Sequence, residues 1–410
     1  MKDTLFIGID VSSQSNTVHV MDSAGDKLWQ HTFKNSQDGC QDLVKQLLET
    51  QSKHGAGFLS FGLEATGCYG NLIAMYLRET DSIPRSDKVV RVLNPKQVSR
   101  FKQSYSELPK TDAVDAFVIA DSLRFGRIGL RGTVVEDKYL SLQKLTRARF
   151  QVAKDLSREK NRYLQTLFLK FSGMTQNPLF GDNFGTTAMD LVEEFESVDQ
   201  IAYSPLPELA DFLNSRGKGH FVDPETLARE IQKAARSSYR LSKAIQDSVN
   251  QVLAMQAQTI RFQEHQLKDY DRLIADQMTG IPNTLTSIKG IGPVYAAGIL
   301  AEIGDVSRFK DQAALANYAG LSWSRHQSGK FEAEQTHLVH SGNRFLRYYL
   351  IEATDHVRKH DPELNRFYAR KYEETPKTKG KRALVLTARK FVRVVYALLR
   401  DNRIYIPRES

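Results

Sequence analysis

The chain has 410 residues, enough for two to four units that each bury a core, and its 41% hydrophobic and 26% charged composition excludes wholesale disorder. Lys plus Arg exceed Asp plus Glu by nine, which makes a polyanion such as DNA, RNA or a membrane surface a candidate partner. Two cysteines, Cys40 and Cys68, exclude a disulfide framework and a Cys-rich zinc site, and with no apolar run of membrane-spanning length a cytoplasmic protein without a membrane partner is expected.

Residues 4–10, 16–22 and 27–33 read as a three-strand meander separated by Ser12-Ser13 and Ala24-Gly25. Alternation follows: a helix at 37–49, a buried strand at 58–64, a helix at 69–79 and a strand at 89–93, the pattern of an α/β layer. Asn94-Pro95 opens a further helix, and Thr111 caps another that runs to about Arg124. From about Tyr139 helical spacing takes over, with Leu142, Leu145, Val152, Leu156, Tyr163 and Leu167 in one long segment. Leu241, Ile245, Val249, Val252, Ile260, Leu267 and Ile274 mark a second. These predict two long helices, of coiled-coil character, that pair with each other or with another subunit. Between them residues 172–235 hold 11 acids and 4 bases, which reads as an acidic insert or loop-rich lobe. The expected organisation is therefore an α/β domain at 1–130, a helical region at 131–280 and a helical C-terminal domain at 281–410.

Asp10 and Glu64 each end a predicted strand, so neighbouring strands would bring both carboxylates to one sheet edge. Asp112 and Asp115 are three apart on a predicted helix and share a face. Four such carboxylates repel one another unless cations intervene, and hard oxygen ligands suit Mg²⁺, with Mn²⁺ as the alternative. Two such ions would stabilise the attacking and leaving oxygens of a displacement at phosphorus. Taken singly, an Asp at a strand end is more often a turn or cap residue, and an Asp pair three apart more often a solvated helix face; the combination in this order carries the metal-site reading.

Ile7-Gly8-Ile9-Asp10, Gly62-Leu63-Glu64-Ala65-Thr66-Gly67 and Lys110-Thr111-Asp112-Ala113-Val114-Asp115-Ala116 together resemble the DEDD transposases of the IS one-ten family. The C-terminal blocks Gly290-Ile291-Gly292, Ala316-Asn317-Tyr318-Ala319-Gly320-Leu321, Gln327-Ser328-Gly329-Lys330, Gly342-Asn343-Arg344 and Leu346-Arg347 are similar too, in the same order. The resemblance implies a RuvC-like RNase H fold at the N-terminus, with Asp10, Glu64, Asp112 and Asp115 as catalytic residues binding Mg²⁺. It also implies a C-terminal transposase domain with a nucleophilic serine, Ser328; spacing alone does not choose among Ser322, Ser324, Ser328 and Ser341. The function implied is site-specific recombination of an insertion sequence with donor and target DNA. A noncoding bridge RNA would serve as guide and a homo-oligomer, dimer or tetramer, as the active form.

Gly290-Ile291-Gly292-Pro293 reads either as a plain connection between helices or as a helix-hairpin-helix-like turn whose following helix offers free N–H groups to a phosphate, with Lys289 beside it; the resemblance implies the phosphate contact. Residues 344–400 hold 15 bases against 6 acids. Within them Arg344, Arg347, Arg389, Lys390 and Arg393 are expected nucleic-acid contacts, interleaved with aromatics that could stack on bases, and Lys330 and Asn343 before them and Lys110 beside the Asp112 helix are expected to join them. Lys144, Arg147, Arg149, Lys154, Arg158, Lys160 and Arg162 of the first long helix would track a phosphate backbone or form a solvated face. Two features depart from the family: the long 172–235 segment, and His340-Ser341 where a basic residue commonly precedes Gly-Asn. The alternatives are a DEDD invertase or junction resolvase without a guide RNA, a sugar or acid kinase of actin-like fold, and a noncatalytic nucleic-acid scaffold.

Overall fold

The computed structural model describes the chain except residues 1–2, 66, 106–107, 127–135, 324–326, 329–330, 333–337, 339–340, 376–377 and 408–410, and except the side chains of 327, 328, 331 and 332. It divides into two compact units, residues 1–137 with 304–314, and residues 138–303 with 315–410.

In the first unit, β1 (Thr4–Val11), β2 (Ser15–Met21) and β3 (Lys27–Lys34) form the expected meander. Then come α1 (Gln37–His54), β4 (Phe58–Glu64), α2 (Tyr69–Glu79), β5 (Lys88–Leu93), α3 (Pro95–Lys102) and α4 (Asp112–Arg124). Ser36 caps α1 by accepting from Gly39 N, Asn94 caps α3 by accepting from Lys96 N, and Thr111 caps α4 by accepting from Val114 N. The sheet order is β3-β2-β1-β4-β5, with β1 antiparallel to β2 and parallel to β4. Side chains alternate across a strand, so β1 sends Ile7 and Ile9 to one face, and Gly8 and Asp10 to the other. Ile7 and Ile9 enter a core with Leu59, Phe61 and Leu63 of β4, Leu43 and Leu47 of α1, and Ile73 and Leu77 of α2.

The opposite face carries α4. Gly8 and Gly62 are register partners in β1 and β4. A Cβ on Gly8 would overlap the Ala116 carbonyl oxygen and the Ala120 amide nitrogen of α4, and one on Gly62 would lie 2.8 Å from Leu123 Cδ1 and 3.0 Å from Ile119 Cγ2. The absence of two side chains therefore lets a helix lie directly against the strands.

The second unit opens with α5 (Asp137–Lys170), followed by α6 (Ser172–Gln176), α7 (Thr186–Glu194), α8 (Val198–Tyr203), α9 (Leu206–Arg216), α10 (Pro224–Arg236) and α11 (Lys243–Met278). The 172–235 segment is thus not loop-rich: it is a cluster of short helices. Leu191, Ile201, Leu209, Leu213 and Ile231 from that cluster share one core with Leu156, Tyr163 and Leu167 of α5 and with Val249, Leu253, Ala257 and Ile260 of α11. The two long helices run antiparallel, tied by the Arg149–Asp271 ion pair, by Lys160–Glu264 at 2.7 Å and by a Gln277 to Ser141 hydrogen bond.

Beyond them lie α12 (Pro293–Ile303), α13 (Gln312–Tyr318), a two-residue strand pair β6 (Gln327–Ser328) and β7 (Phe331–Glu332), α14 (Arg344–Val357), α15 (Pro362–Glu373) and α16 (Lys379–Asp401). At the expected hairpin between two helices, a 3-10 turn, Leu285–Ser287, stands before the glycines in place of a first helix, and α12 follows them. Tyr349 of α14 lies against Gly298 of α12, where a Cβ would strike its ring, and its hydroxyl donates to Thr146 O of α5 at 2.7 Å. Among the described residues no helix is long and apolar enough to cross a membrane.

Candidate active site

Parallel pairing of β1 with β4 in the register Ile9↔Leu63 places the next residues, Asp10 and Glu64, side by side at the strand ends, on the face that carries α4. α4 begins at that edge, with Asp112 and Asp115 in its first turn, where the helix N-terminus favours negative charge. The glycine pair beneath α4 sets how close the helix sits to the strands that carry Asp10 and Glu64.

Their charges are coupled. The Asp10 carboxyl is pushed up from 3.8 to about 6, first by burial, then by Asp112 and Asp115, against the opposing effects of the Val11 N–H and the Lys102 ammonium. Glu64 is also raised, by burial, then by Asp10 and Asp115. Lys102, at the end of α3, donates from Nζ to Asp115 Oδ1 at 2.6 Å. Lys110 is exposed immediately before the α4 cap.

A divalent cation suits this donor set chemically: hard oxygens, clustered and mutually repelling. Among the described residues no three acid, His or Cys side chains converge closely enough to hold an ion, and Asp115 is engaged by Lys102.

Ser328 ends β6, with backbone paired to Phe331, and its side chain lies outside the described set, as does all of Lys330. Lys289 and Gly292 are exposed at the start of α12. Gly290 has φ of +100°, and a Cβ there would lie 3.1 Å from the His356 backbone, so it serves close packing as well as the turn.

Other expected contacts are spoken for. Asn343 caps α14, accepting from Phe345 N and Leu346 N, while its Nδ2 donates to Glu302 Oε2 at 2.6 Å and lies 3.2 Å from Tyr318 OH. That amide has no capacity left for phosphate, so its structural role replaces the expected nucleic-acid contact. Lys390 pairs with Glu363 at 2.7 Å. Arg344 and Arg393 are exposed, Arg389 is partly buried, and Arg347 is partly buried with Nη1 lacking a hydrogen-bond partner.

The basic track expected along the first long helix is largely cancelled. Arg147 pairs with Glu302, Arg149 with Asp271, Lys160 with Glu264, Arg158 with Asp155 and Arg162 with Glu159. Sequence reasoning missed Lys102 altogether; its position at the last turn of a helix that follows β5 was the available signal.

Two family models match the chain. One, described as a transposase and belonging to the IS110 DEDD group, covers residues 7–171; the other, described as "Transposase IS116/IS110/IS902 family", covers 283–369. The chain is 25% identical to the uncharacterized 44.8 kDa protein of insertion element IS116 of Streptomyces clavuligerus over 99% of this chain and 97% of that one. It is 26% identical to the uncharacterized 43.6 kDa protein of insertion element IS110 of Streptomyces coelicolor, over 98% and 95%. It is 34% identical to the pilin gene-inverting protein of Moraxella bovis, over 29% of this chain and 37% of that one. Among solved structures, T. thermophilus RuvC in complex with a Holliday junction substrate matches 31% of this chain and 98% of its own length at 14% identity, with a TM-score of 0.23, so the assignment rests on the family models and relatives. With both carboxylate-bearing and C-terminal segments matched, the class is that of enzymes that cleave and rejoin DNA. Within it, the chain belongs to the IS110 family of DEDD transposases, the recombinases of insertion sequences, and its partner is DNA.

Proposed function

We propose that the first unit is a RuvC-like RNase H fold, and that Asp10, Glu64, Asp112 and Asp115 form its divalent-cation site, taking Mg²⁺ or Mn²⁺. The observation that carries this is the grouping of strand-end and helix-start carboxylates at one sheet edge, where burial first and then the Asp112 and Asp115 charges raise Asp10 to about 6. A bound cation would offset charge developing on the phosphate oxygens. The carboxylates would hold that cation at the sheet edge, and α4 carries two of them, Asp112 and Asp115.

Ser328 is the nucleophile in this reading, on the strength of its motif. Its Oγ bonds to phosphorus as one phosphorus–oxygen bond of the DNA breaks, a deoxyribose hydroxyl leaves, and the serine proton passes to a base. The phosphoserine link conserves the energy needed to rejoin the strands, so no ATP is consumed. Lys110, Lys289, Gly290, Gly292, Lys330, Arg344, Arg347, Arg389 and Arg393 would contact nucleic acid. A noncoding guide RNA would choose donor and target, consistent with a chain whose sequence offers no zinc finger or recognition helix for base readout.

The active form is a homo-oligomer. The outer side of α11 leaves Ile245, Val252, Met255 and Phe262 exposed, at spacings of 7, 3 and 7 that suit packing against a second copy.

A two-plasmid recombination assay that includes the flanking noncoding DNA tests the whole. Asp10→Ala and Ser328→Ala should each abolish recombination, and Ser328→Ala should also abolish a covalent protein–DNA adduct. Full activity of either variant removes that residue from the mechanism. The second reading is a DNA invertase that needs no guide, favoured by the match to the pilin gene-inverting protein. Recombination that survives ribonuclease treatment of the purified protein would select it.

A further inference from the structure

The acidic cluster carries its own cation. Lys102 Nζ lies 2.6 Å from Asp115 Oδ1, with side chains 24% and 31% exposed. Its backbone is firmly anchored. α3 starts at the Asn94 cap directly after β5, Val98 is buried, and Phe101 packs edge-on against Tyr105 and Phe125 at 5.6 and 5.8 Å. Tyr105 in turn packs on Phe117 of α4 and donates its hydroxyl to the buried Asp121 of the same helix. The end of α3 is therefore clamped to the helix that bears Asp115, and the ion pair follows from that clamp.

We propose that Lys102 is a resident counter-ion which a divalent cation must displace from Asp115, so that loading the site exchanges one cation for another. This rests on the reading of Asp10, Glu64, Asp112 and Asp115 as a divalent-cation site. While the ammonium holds Asp115, that carboxylate faces α3, and the acid side chains do not converge on a common point. Release turns Asp115 to the cluster and frees a positive charge at its rim. The ammonium also offsets part of the repulsion in the metal-free enzyme. The site consequently binds its ion more weakly than four bare carboxylates would.

Mn²⁺ binding to the full chain, followed by the paramagnetic resonance signal of free Mn²⁺, tests this with wild type, Lys102→Gln and Lys102→Arg. Removing a partly exposed ion pair that competes with the metal should tighten binding roughly three- to tenfold in Lys102→Gln. Lys102→Arg, which can keep the pair, should stay near wild type. Equal affinity in wild type and Lys102→Gln overturns the proposal while leaving the cation site standing. Loss of binding in Lys102→Gln alone also overturns it, since the lysine would then build the site. No Mn²⁺ binding by either protein overturns the cation-site reading and the proposal with it. Should Lys102→Gln fail to fold, Mg²⁺ titration of the wild-type protein carrying ¹⁵N-lysine replaces it, with the Lys102 ammonium signal assigned by its absence in Lys102→Arg. That signal should shift as Mg²⁺ saturates, and a signal that stays in place overturns the proposal.

Discussion

Gly8 and Gly62 face each other across β1 and β4 and form the bare strip on which α4 rests. Two residues further along each strand stand Asp10 and Glu64, on the same face. The spacing between sheet and helix thus sets the geometry of the acidic cluster.

Gly8→Ala should be costly, because the atoms it would strike are backbone atoms of α4 and cannot rotate away. A loss of about 3 kcal/mol is expected, with recombination falling as α4 is pushed off the sheet. Gly62→Ala meets only the ends of Leu123 and Ile119 and should cost about 1 kcal/mol. Urea denaturation of the two variants checks the contrast; equal stability would show that α4 is not tightly seated.

Asp10→Asn should raise stability at neutral pH in metal-free buffer. The folded Asp10 carboxyl sits near 6, above its ordinary 3.8, so between those values the folded state binds more protons than the unfolded one. Stability therefore falls as the pH rises through 3.8 to 6, and the penalty is fully present above 6. Because Asp10 is only half-buried, the gain from neutralising it is about 1 kcal/mol after allowance for solvent screening. Melting curves should show the variant's advantage at pH 7.5 shrinking toward pH 4, while recombination is lost throughout.

Glu302, with its side chain wholly buried, joins three segments: Arg147 donates to it through Nε at 2.7 Å and Nη2 at 2.9 Å, Gln143 at 3.3 Å and Asn343 at 2.6 Å. Glu302→Ala should destabilise by about 3 kcal/mol, since it strands donors of α5 and of the α14 cap. Asn343→Ala should cost about 1 to 2 kcal/mol through the missing cap and network. The double variant should lose less than the sum, as members of one network do. Strict additivity in denaturation midpoints would mean that the two residues act independently.

DNA affinity should separate two sets of arginines. Arg344→Gln and Arg393→Gln remove exposed charges, and each should lower the slope of log affinity against log salt by about 0.9 for every phosphate it no longer neutralises. Arg147→Gln and Arg149→Gln break ion pairs to Glu302 and Asp271, so thermal stability should fall while the slope stays constant. Filter binding across a salt series distinguishes them.

The strands and helices of the first unit were legible because their signals are local. Period-2 runs bounded by turn residues marked the meander, and Asn94-Pro95 and Thr111 marked helix starts at the residues that cap them. The C-terminal motifs were legible as motifs, but the work of their side chains was not. Asn343 looked like a ligand contact and is occupied by a helix cap and by Glu302, 41 residues away. The basic face of α5 looked free and is neutralised by partners 155 and 122 residues distant, at Glu302 and Asp271.

By itself the sequence determined which side chains can form the cluster: strand ends place Asp10 and Glu64, and helical periodicity puts Asp112 and Asp115 on one face. Those are consequences of backbone geometry within a few residues. Only the tertiary structure decided how charged that cluster is, because burial, the approach of α4 over Gly8 and Gly62, and the Lys102 ammonium all come from packing between elements. Charge acts through space, so its balance at the site is set by which residues the fold brings near, whatever their separation along the chain.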